Sequence, residues 1–158
     1  MDLDVSLCLP RESGTVGLIR RVAAGALGTM GVTPACIDDV VLALSEACSN
    51  VVDHAAVEDQ YEVRLEVRGR RCAIAVEDAG GGFDAAALAD VPADTSSVRG
   101  RGVAIMRAVM DQVDFESAPQ RGTIVRLVKT LDLSSPGPLG AIGRSWLTAP
   151  DGQPPTRR

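Results

Sequence analysis

Aromatic residues are scarce in this sequence: two Phe, one Tyr and one Trp make up 3% of 158 positions. The core must therefore be built from Val, Leu, Ile and Ala, and hydrophobic residues account for 46% of the chain. The length leaves no room for two large domains, and a fold of this size removes roughly 70% of the unfolded surface from water. We expect one globular domain with an aliphatic core that needs neither disulfides nor a structural metal.

Histidine and cysteine, the usual ligands of zinc, are also few. The sequence has one histidine, His54, and four cysteines that form no C-x-x-C pair. A single His cannot supply a multi-His metal site, and zinc sites generally need paired Cys or His ligands. We therefore predict reduced cytosolic thiols.

A surplus of basic charge is also missing. The chain has 16 Lys and Arg against 21 Asp and Glu, a net charge of −5, and no long basic block, so direct nucleic-acid binding is disfavoured. The first residues, MDLDVSLCLPRE, carry acids where a signal peptide needs basic charge, and no apolar run approaches the ~18 residues of a membrane span. These features predict a cytoplasmic protein that does not contact the membrane.

Hydrophobic periodicity predicts five strands and three helices. The predicted strands cover residues 5–9, 61–68, 72–78, 113–116 and 123–131, and the predicted helices cover 13–27, 34–56 and 102–111. This order favours an α+β fold, a two-layer α/β sandwich with helices on one face of a mixed, mainly antiparallel sheet. We place the domain at residues 1–131, followed by a Pro- and Gly-rich, flexible tail at 132–158 that holds the only tryptophan, Trp146.

The central predicted helix carries a polar pair opposite its hydrophobic stripe. Glu46 and Asn50 lie one turn apart on this face. Asn is a poor helix former in mid-helix, and a carboxylate and an amide at this spacing can together address a metal-bound phosphate and its attacking group. The alternative is an ordinary solvated polar face.

A glycine-rich segment follows the strand predicted over 72–78. Strand alternation directs Asp78 to the apolar side, where its carboxylate needs a hydrogen-bond donor such as a purine amino group. Gly80 and Gly82 allow a sharp turn and the close approach of a flat ligand. A turn closed by an Asp cap explains the same residues.

Arg99, Gly100, Arg101 and Gly102 lie where the third predicted helix begins. Backbone N–H groups at a helix N-terminus, together with guanidinium groups, suit a di- or triphosphate. Solvated arginines in a plain loop are the alternative. Thr123 shares its strand face with apolar residues, so its hydroxyl can enter the same pocket or simply begin a strand.

In this order and spacing the four features resemble the GHKL superfamily of ATP-binding domains with the Bergerat fold, and within it the anti-sigma-factor serine kinases of the RsbW type. The resemblance covers about residues 5–131. Its motifs are the N-box SEACSNVVDHA, the glycine boxes EDAGGGFD and RGRGVAIMRAVMD, and a final RGT at 121–123.

The resemblance implies a pocket for ATP and Mg²⁺. In such a pocket Asn50 coordinates the metal, Asp78 reads the adenine amino group and Glu46 is the catalytic base. The remaining predicted nucleotide-binding residues are Gly80, Gly82, Arg99, Gly100, Arg101, Gly102 and Thr123. Residues 83–98 resemble the lid over the nucleotide.

The resemblance also implies a function: an ATP-dependent protein serine/threonine kinase that acts as an anti-sigma factor. Such a protein sequesters a sigma factor, phosphorylates an anti-anti-sigma antagonist with a STAS domain, and forms a homodimer. Two other functions stay open from the sequence, namely a non-catalytic ATP-binding partner-switching module and a detached histidine-kinase catalytic domain.

Overall fold

The fold is taken from a computed structural model, which describes residues 2–54, 60–78, 98–118 and 122–134. The strands are β1 (Asp2–Pro10), β2 (Gln60–Arg68), β3 (Arg71–Asp78), β4 (Gln112–Ala118) and β5 (Gly122–Thr130). The helices in these ranges are α1 (Ser13–Thr29), α2 (Pro34–His54) and α3 (Val98–Val109). The predicted α+β class is confirmed.

The strands form one sheet in the order β1-β2-β3-β5-β4. Among the described strands every neighbouring pair is antiparallel, so the sheet is more regular than the mixed one predicted. The β2–β3 hairpin turns at Gly69, whose φ of 59° lies in the left-handed region that favours glycine. The chain passes through α3 before β4 and β5, and β5 then inserts between β3 and the edge strand β4.

Strict alternation of side chains explains why the helices lie on a single face. The inward residues of β2 and β3 are buried while their neighbours are more exposed, as predicted for half-buried strands. They pack against α1 and α2 in one core. The inward set is Tyr61, Val63, Leu65, Val67, Cys72, Ile74, Val76 and Asp78.

Helix α2 lies between the other two helices and contacts both. Thr33 takes the N-cap position of α2, since its carbonyl accepts the first helical hydrogen bond from the Ile37 N–H at 3.0 Å. Besides the predicted stripe, Ala43 and Ala47 are fully buried. These small side chains let a neighbouring helix approach α2 closely.

The third helix begins earlier than predicted. It already includes Val98, so Arg99, Gly100 and Arg101 lie inside the helix and not before it. Glycines are unfavourable in helix interiors by up to about 1 kcal/mol relative to Ala, which is why the sequence suggested a loop. Packing against α2 offsets this propensity, because Gly100, Gly102 and Val103 are all buried.

Lys129 on β5 ties α2 and α3 to the sheet. Its Nζ donates to Asp39 Oδ2 on α2 at 2.8 Å and to the carbonyl oxygen of Val109 at the end of α3. The hydrogen bond to Asp39 is the main cause that raises the pKa of Lys129. This contact helps to fix the position of α3 over α2.

The first residues of the predicted tail pack against the α1–α2 connection. The Thr33 N–H donates to the Asp132 carbonyl at 2.7 Å, and Leu133 forms a β-bridge with Val32. The boundary at residue 131 and the flexible tail stay predictions, since residues 135–158, Trp146 among them, lie outside the described residues. Within the described ranges no helix is both long and apolar enough to cross a membrane.

We predict that one of the four cysteines reacts rapidly with a thiol reagent in the native protein. All four are free thiols, with Cys8 exposed and Cys36, Cys48 and Cys72 buried. Burial raises the pKa of Cys48 and of Cys72 to about 12, so at pH 8 their thiolate is scarce as well as inaccessible. Titration with an aromatic disulfide should quickly release one equivalent of the aromatic thiol per protein chain.

The matched variant Cys8→Ser should abolish this fast phase, and denaturant should reveal the other three thiols in both proteins. Fast release of two or more equivalents from native Cys8→Ser protein would show that the core around α2 and β3 opens more readily than its burial indicates.

Candidate active site

Glu46, Asn50 and Gly102 meet where α3 crosses α2. A Cβ atom built on Gly102 would lie 2.9 Å from Glu46 Oε2 and 3.7 Å from Asn50 Oδ1. The Glu46 carboxylate can therefore take this position only because residue 102 has no side chain. The structure thus brings together the predicted N-box pair and a glycine of the second glycine box.

The polar face of α2 is not an open surface. Glu46 and Asn50 are both half-buried, and Ala43 and Ala47, which lie close to them on the helix, are fully buried. Helix α3 packs on α2, and Gly102 of α3 permits its close approach to Glu46 and Asn50. The Glu46 carboxylate and the Asn50 amide accordingly lie at the edge of a helix–helix contact, partly shielded from water.

Asp78 ends β3 with its side chain on the helix side of the sheet, as predicted from strand alternation. The residue is 7% exposed. Its cross-strand partners are Tyr61 on β2 and Thr123 on β5, and both are buried. Facing residues in adjacent strands have side chains close together, so Thr123 lies next to Asp78.

Arg11 is a site residue that the sequence analysis missed. It follows β1 directly, and its Nη2 donates to Asp78 Oδ1 in an ion pair whose side chains are 7% and 10% exposed. A buried carboxylate needs a donor, and the sequence suggested a ligand where the protein itself provides a guanidinium. No periodic signal marks Arg11, because its place depends on the pairing of β1 with β2.

A buried hydroxyl network borders Asp78. The Thr15 hydroxyl lies 3.0 Å from the Tyr61 hydroxyl and donates to the Glu12 carbonyl at 2.7 Å, at the start of α1. Burial raises the pKa of Tyr61 to about 12, and the thiol of Cys48 on α2 contacts the same hydroxyl. These contacts fix Tyr61, the cross-strand partner of Asp78, against α2, the helix that carries Glu46 and Asn50.

The other predicted site residues either lie outside the described residues or belong to the first turn of α3. Gly80, Gly82 and the lid over 83–98, apart from the backbone of Val98, lie outside the described residues, as does the side chain of Arg99. Arg101 is exposed in the first turn of α3, while Gly100 is buried there. The roles of Gly80, Gly82 and Arg99 stay predictions.

Comparison with known proteins follows the same motifs. Residues 9–129 match the family model of the histidine kinase-like ATPase domain. The chain is 30% identical over 139 residues to the serine-protein kinase RsbW of Bacillus subtilis, covering 81% of this chain and 86% of that protein. It is 30% identical over 142 residues to the anti-sigma F factor of Pasteuria penetrans, covering 85% and 92%.

Among solved structures, the RsbU and RsbW domains of Rv1364c from Mycobacterium tuberculosis superpose with a TM-score of 0.64 at 20% identity. The match covers 82% of this chain but 32% of that longer one, and at this identity it supports the fold.

The family match spans the helix with Glu46 and Asn50, the strand end with Asp78 and the glycines of α3. The resemblance predicted from the motifs is confirmed. The chain therefore belongs to the histidine kinase-like ATPase domain family, in which its relatives include serine-protein kinases of the RsbW type and an anti-sigma F factor.

Proposed function

We propose that this protein is an ATP-dependent serine kinase that acts as an anti-sigma factor, the function that its relatives' names state and that the sequence predicted. The observation that carries the proposal is the position of the Glu46 carboxylate against Gly102 on α3, with the Asn50 amide beside it. A carboxylate here lies next to the helix that the resemblance assigns to the phosphates of ATP. A carboxylate at this place favours phosphotransfer over a module that only binds nucleotide.

The residues at this place suit a magnesium-bound nucleotide. Mg²⁺ takes oxygen ligands, keeps several waters and is usually held by one or two protein groups together with substrate phosphates. The Asn50 side chain offers an amide oxygen on α2, beside Gly102 of α3. In the described part of the chain no cluster of three His, Cys, Asp or Glu could hold a metal alone. Mg²⁺ bound there would neutralise charge on the phosphates.

In the proposed mechanism Glu46 accepts the proton of a serine hydroxyl on the partner protein. The hydroxyl oxygen then attacks the γ-phosphorus, and the bond from that phosphorus to the bridging oxygen breaks to leave ADP. The first turn of α3, with Gly100 and Arg101, stabilises phosphate charge through its N-terminal backbone groups. Asp78 accepts a hydrogen bond from the adenine 6-amino group, with Thr123 beside it.

The proposed partners are a sigma factor, which the protein sequesters, and a STAS-domain antagonist, which it phosphorylates. Both partners act in transcription control, so we place the protein in the cytoplasm, and we propose that it works as a homodimer. Phosphorylation of the antagonist would keep it from releasing the sigma factor.

Phosphotransfer with the full-length protein tests this proposal. With γ-labelled ATP, Mg²⁺ and STAS-domain proteins of the same host, we expect label on one of them, and phosphoamino-acid analysis should find phosphoserine or phosphothreonine. Acid-labile phosphohistidine on the partner would instead identify a detached histidine-kinase domain. ATP binding by calorimetry without any transfer would favour the non-catalytic binding module.

A further inference from the structure

The Arg11 guanidinium has more hydrogen-bonding capacity than Asp78 uses. Its side chain is 7% exposed and reaches Asp78 Oδ1 through Nη2 alone. The other two nitrogens, Nε and Nη1, are buried, and neither has a hydrogen-bond partner among the residues that the structure describes. Three nitrogens of one planar fork thus lie at the strand end, and one of them is paired.

Such a group is unusual in a folded protein. The large majority of buried side-chain polar atoms have a partner, and an unmet donor next to a charged group is costly. A guanidinium can only donate, and its donors point in fixed directions. The donors beside Asp78 therefore suit an acceptor atom that enters the site with a ligand.

Adenine offers a donor next to an acceptor on either of two edges. Its 6-amino group is the donor, and the neighbouring acceptor is N1 on one edge and N7 on the other. Asp78 offers an acceptor and Arg11 offers donors directly next to it. The pair is thus complementary to a 6-amino group with its neighbouring ring nitrogen.

We propose that Arg11 is a base-reading residue. Asp78 accepts a hydrogen bond from the adenine 6-amino group, and Arg11 donates a hydrogen bond to the ring nitrogen beside that group. This inference rests on the proposed function, because it requires adenine at Asp78. It adds a second specificity-determining side chain to the pocket, and it connects the junction of β1 and α1 to the bound nucleotide. Arg11 keeps its contact with Asp78 Oδ1 in this arrangement.

A different role would make the opposite prediction. If Arg11 were only a counter-ion that competes with adenine for Asp78, then its removal would free the carboxylate and tighten ATP binding. A base-reading Arg11 loses affinity when it is removed, and it loses affinity selectively for nucleotides that contain the acceptor nitrogen. The two roles can therefore be separated with nucleotide analogues.

The test compares ATP, 1-deaza-ATP and 7-deaza-ATP, each with Mg²⁺, by calorimetry on the unchanged protein. These analogues replace one ring nitrogen with CH and keep the 6-amino group and the phosphates. We expect one of the two to bind about tenfold more weakly than ATP, because a hydrogen bond from a charged donor is lost. Equal affinity for all three nucleotides would overturn the proposal. This comparison uses only the unchanged protein and needs no variant.

Arg11→Met then assigns the effect to this side chain. The variant should bind ATP about tenfold more weakly and should no longer distinguish ATP from the sensitive analogue. Arg11→Lys, which retains a charge beside Asp78, covers the case in which the Met variant does not fold, and it should show a reduced difference between the nucleotides. Arg21→Met, at an exposed position of α1, is the matched control and should keep the wild-type ratio.

Tighter ATP binding by Arg11→Met would identify a competing counter-ion and overturn the inference. If Arg11→Met still bound the sensitive analogue about tenfold more weakly than ATP, the inference would also be overturned, because another group would then contact the ring nitrogen. Failure of the unchanged protein to bind any of the three nucleotides would instead contradict the proposed function.

Discussion

Glu46→Gln is expected to lower the rate of phosphotransfer by at least about 100-fold, the lower end of what a positioned general base contributes. The amide has nearly the size of the carboxylate, so the contact of α2 with Gly102 on α3 is kept, but it cannot accept the proton of the attacking hydroxyl. ATP affinity should be retained because Asp78 and the α3 N-terminus are untouched. Single-turnover transfer and calorimetry on the same preparation measure both quantities.

The control for this variant is Glu66→Gln. Glu66 is an exposed carboxylate on β2 that pairs with Arg68 at 2.9 Å, and exposed pairs of this kind contribute little to stability. It should transfer phosphate at the wild-type rate. Wild-type transfer by Glu46→Gln would show that another group takes the proton, and loss of ATP binding in that variant would show that Glu46 serves the nucleotide and not the attacking hydroxyl.

Gly102→Ala is expected to lower phosphotransfer by about 10- to 100-fold without loss of folding stability. The added methyl group would lie 2.9 Å from Glu46 Oε2, so the carboxylate must move aside. Because Oε2 ends a flexible side chain, the movement costs little stability, and Ala gains up to about 1 kcal/mol of helix propensity over Gly. A catalytic group displaced by about 1 Å can lose roughly 100-fold in rate.

Gly25→Ala in α1 provides the matched control, since no atom lies within 4 Å of the Cβ position there. It should raise the midpoint of thermal unfolding slightly and leave transfer unchanged. In the Glu46→Gln background Gly102→Ala should cause no further loss, because both changes act on one group. A Gly102→Ala enzyme with the wild-type rate would mean that the Glu46 carboxylate does not need its observed position.

Some parts of the site were readable from local patterns. Alternation along the strand predicted that Asp78 faces the apolar side, and it is buried there. Helical periodicity put Glu46 and Asn50 on one face, opposite the hydrophobic stripe. Period-2 and period-3.6 patterns report such directions directly, because they follow from backbone geometry within one element.

Other parts depended on contacts between elements that are distant in sequence. The start of α3 was predicted too late, since Gly100 and Gly102 disfavour a helix locally and only packing against α2 offsets this. Arg11 meets Asp78 across 67 residues of chain, and this contact requires the pairing of β1 with β2 and of β2 with β3. The pairing of β1 with β2 joins segments that are far apart in the sequence, and no periodic pattern reports it.

The sequence by itself determined the family, the order of helices and strands, and the faces on which Glu46, Asn50 and Asp78 lie, because motif spacing and hydrophobic periodicity are local properties. Only the tertiary structure decided that Gly102 lies against Glu46 and Asn50, that the sheet is antiparallel in all its described pairs, and that Asp78 has Arg11 as its partner. These relations depend on how α3 packs on α2 and how β1 aligns with β2. Burial of the shared core sets that packing, and no single segment contains the information.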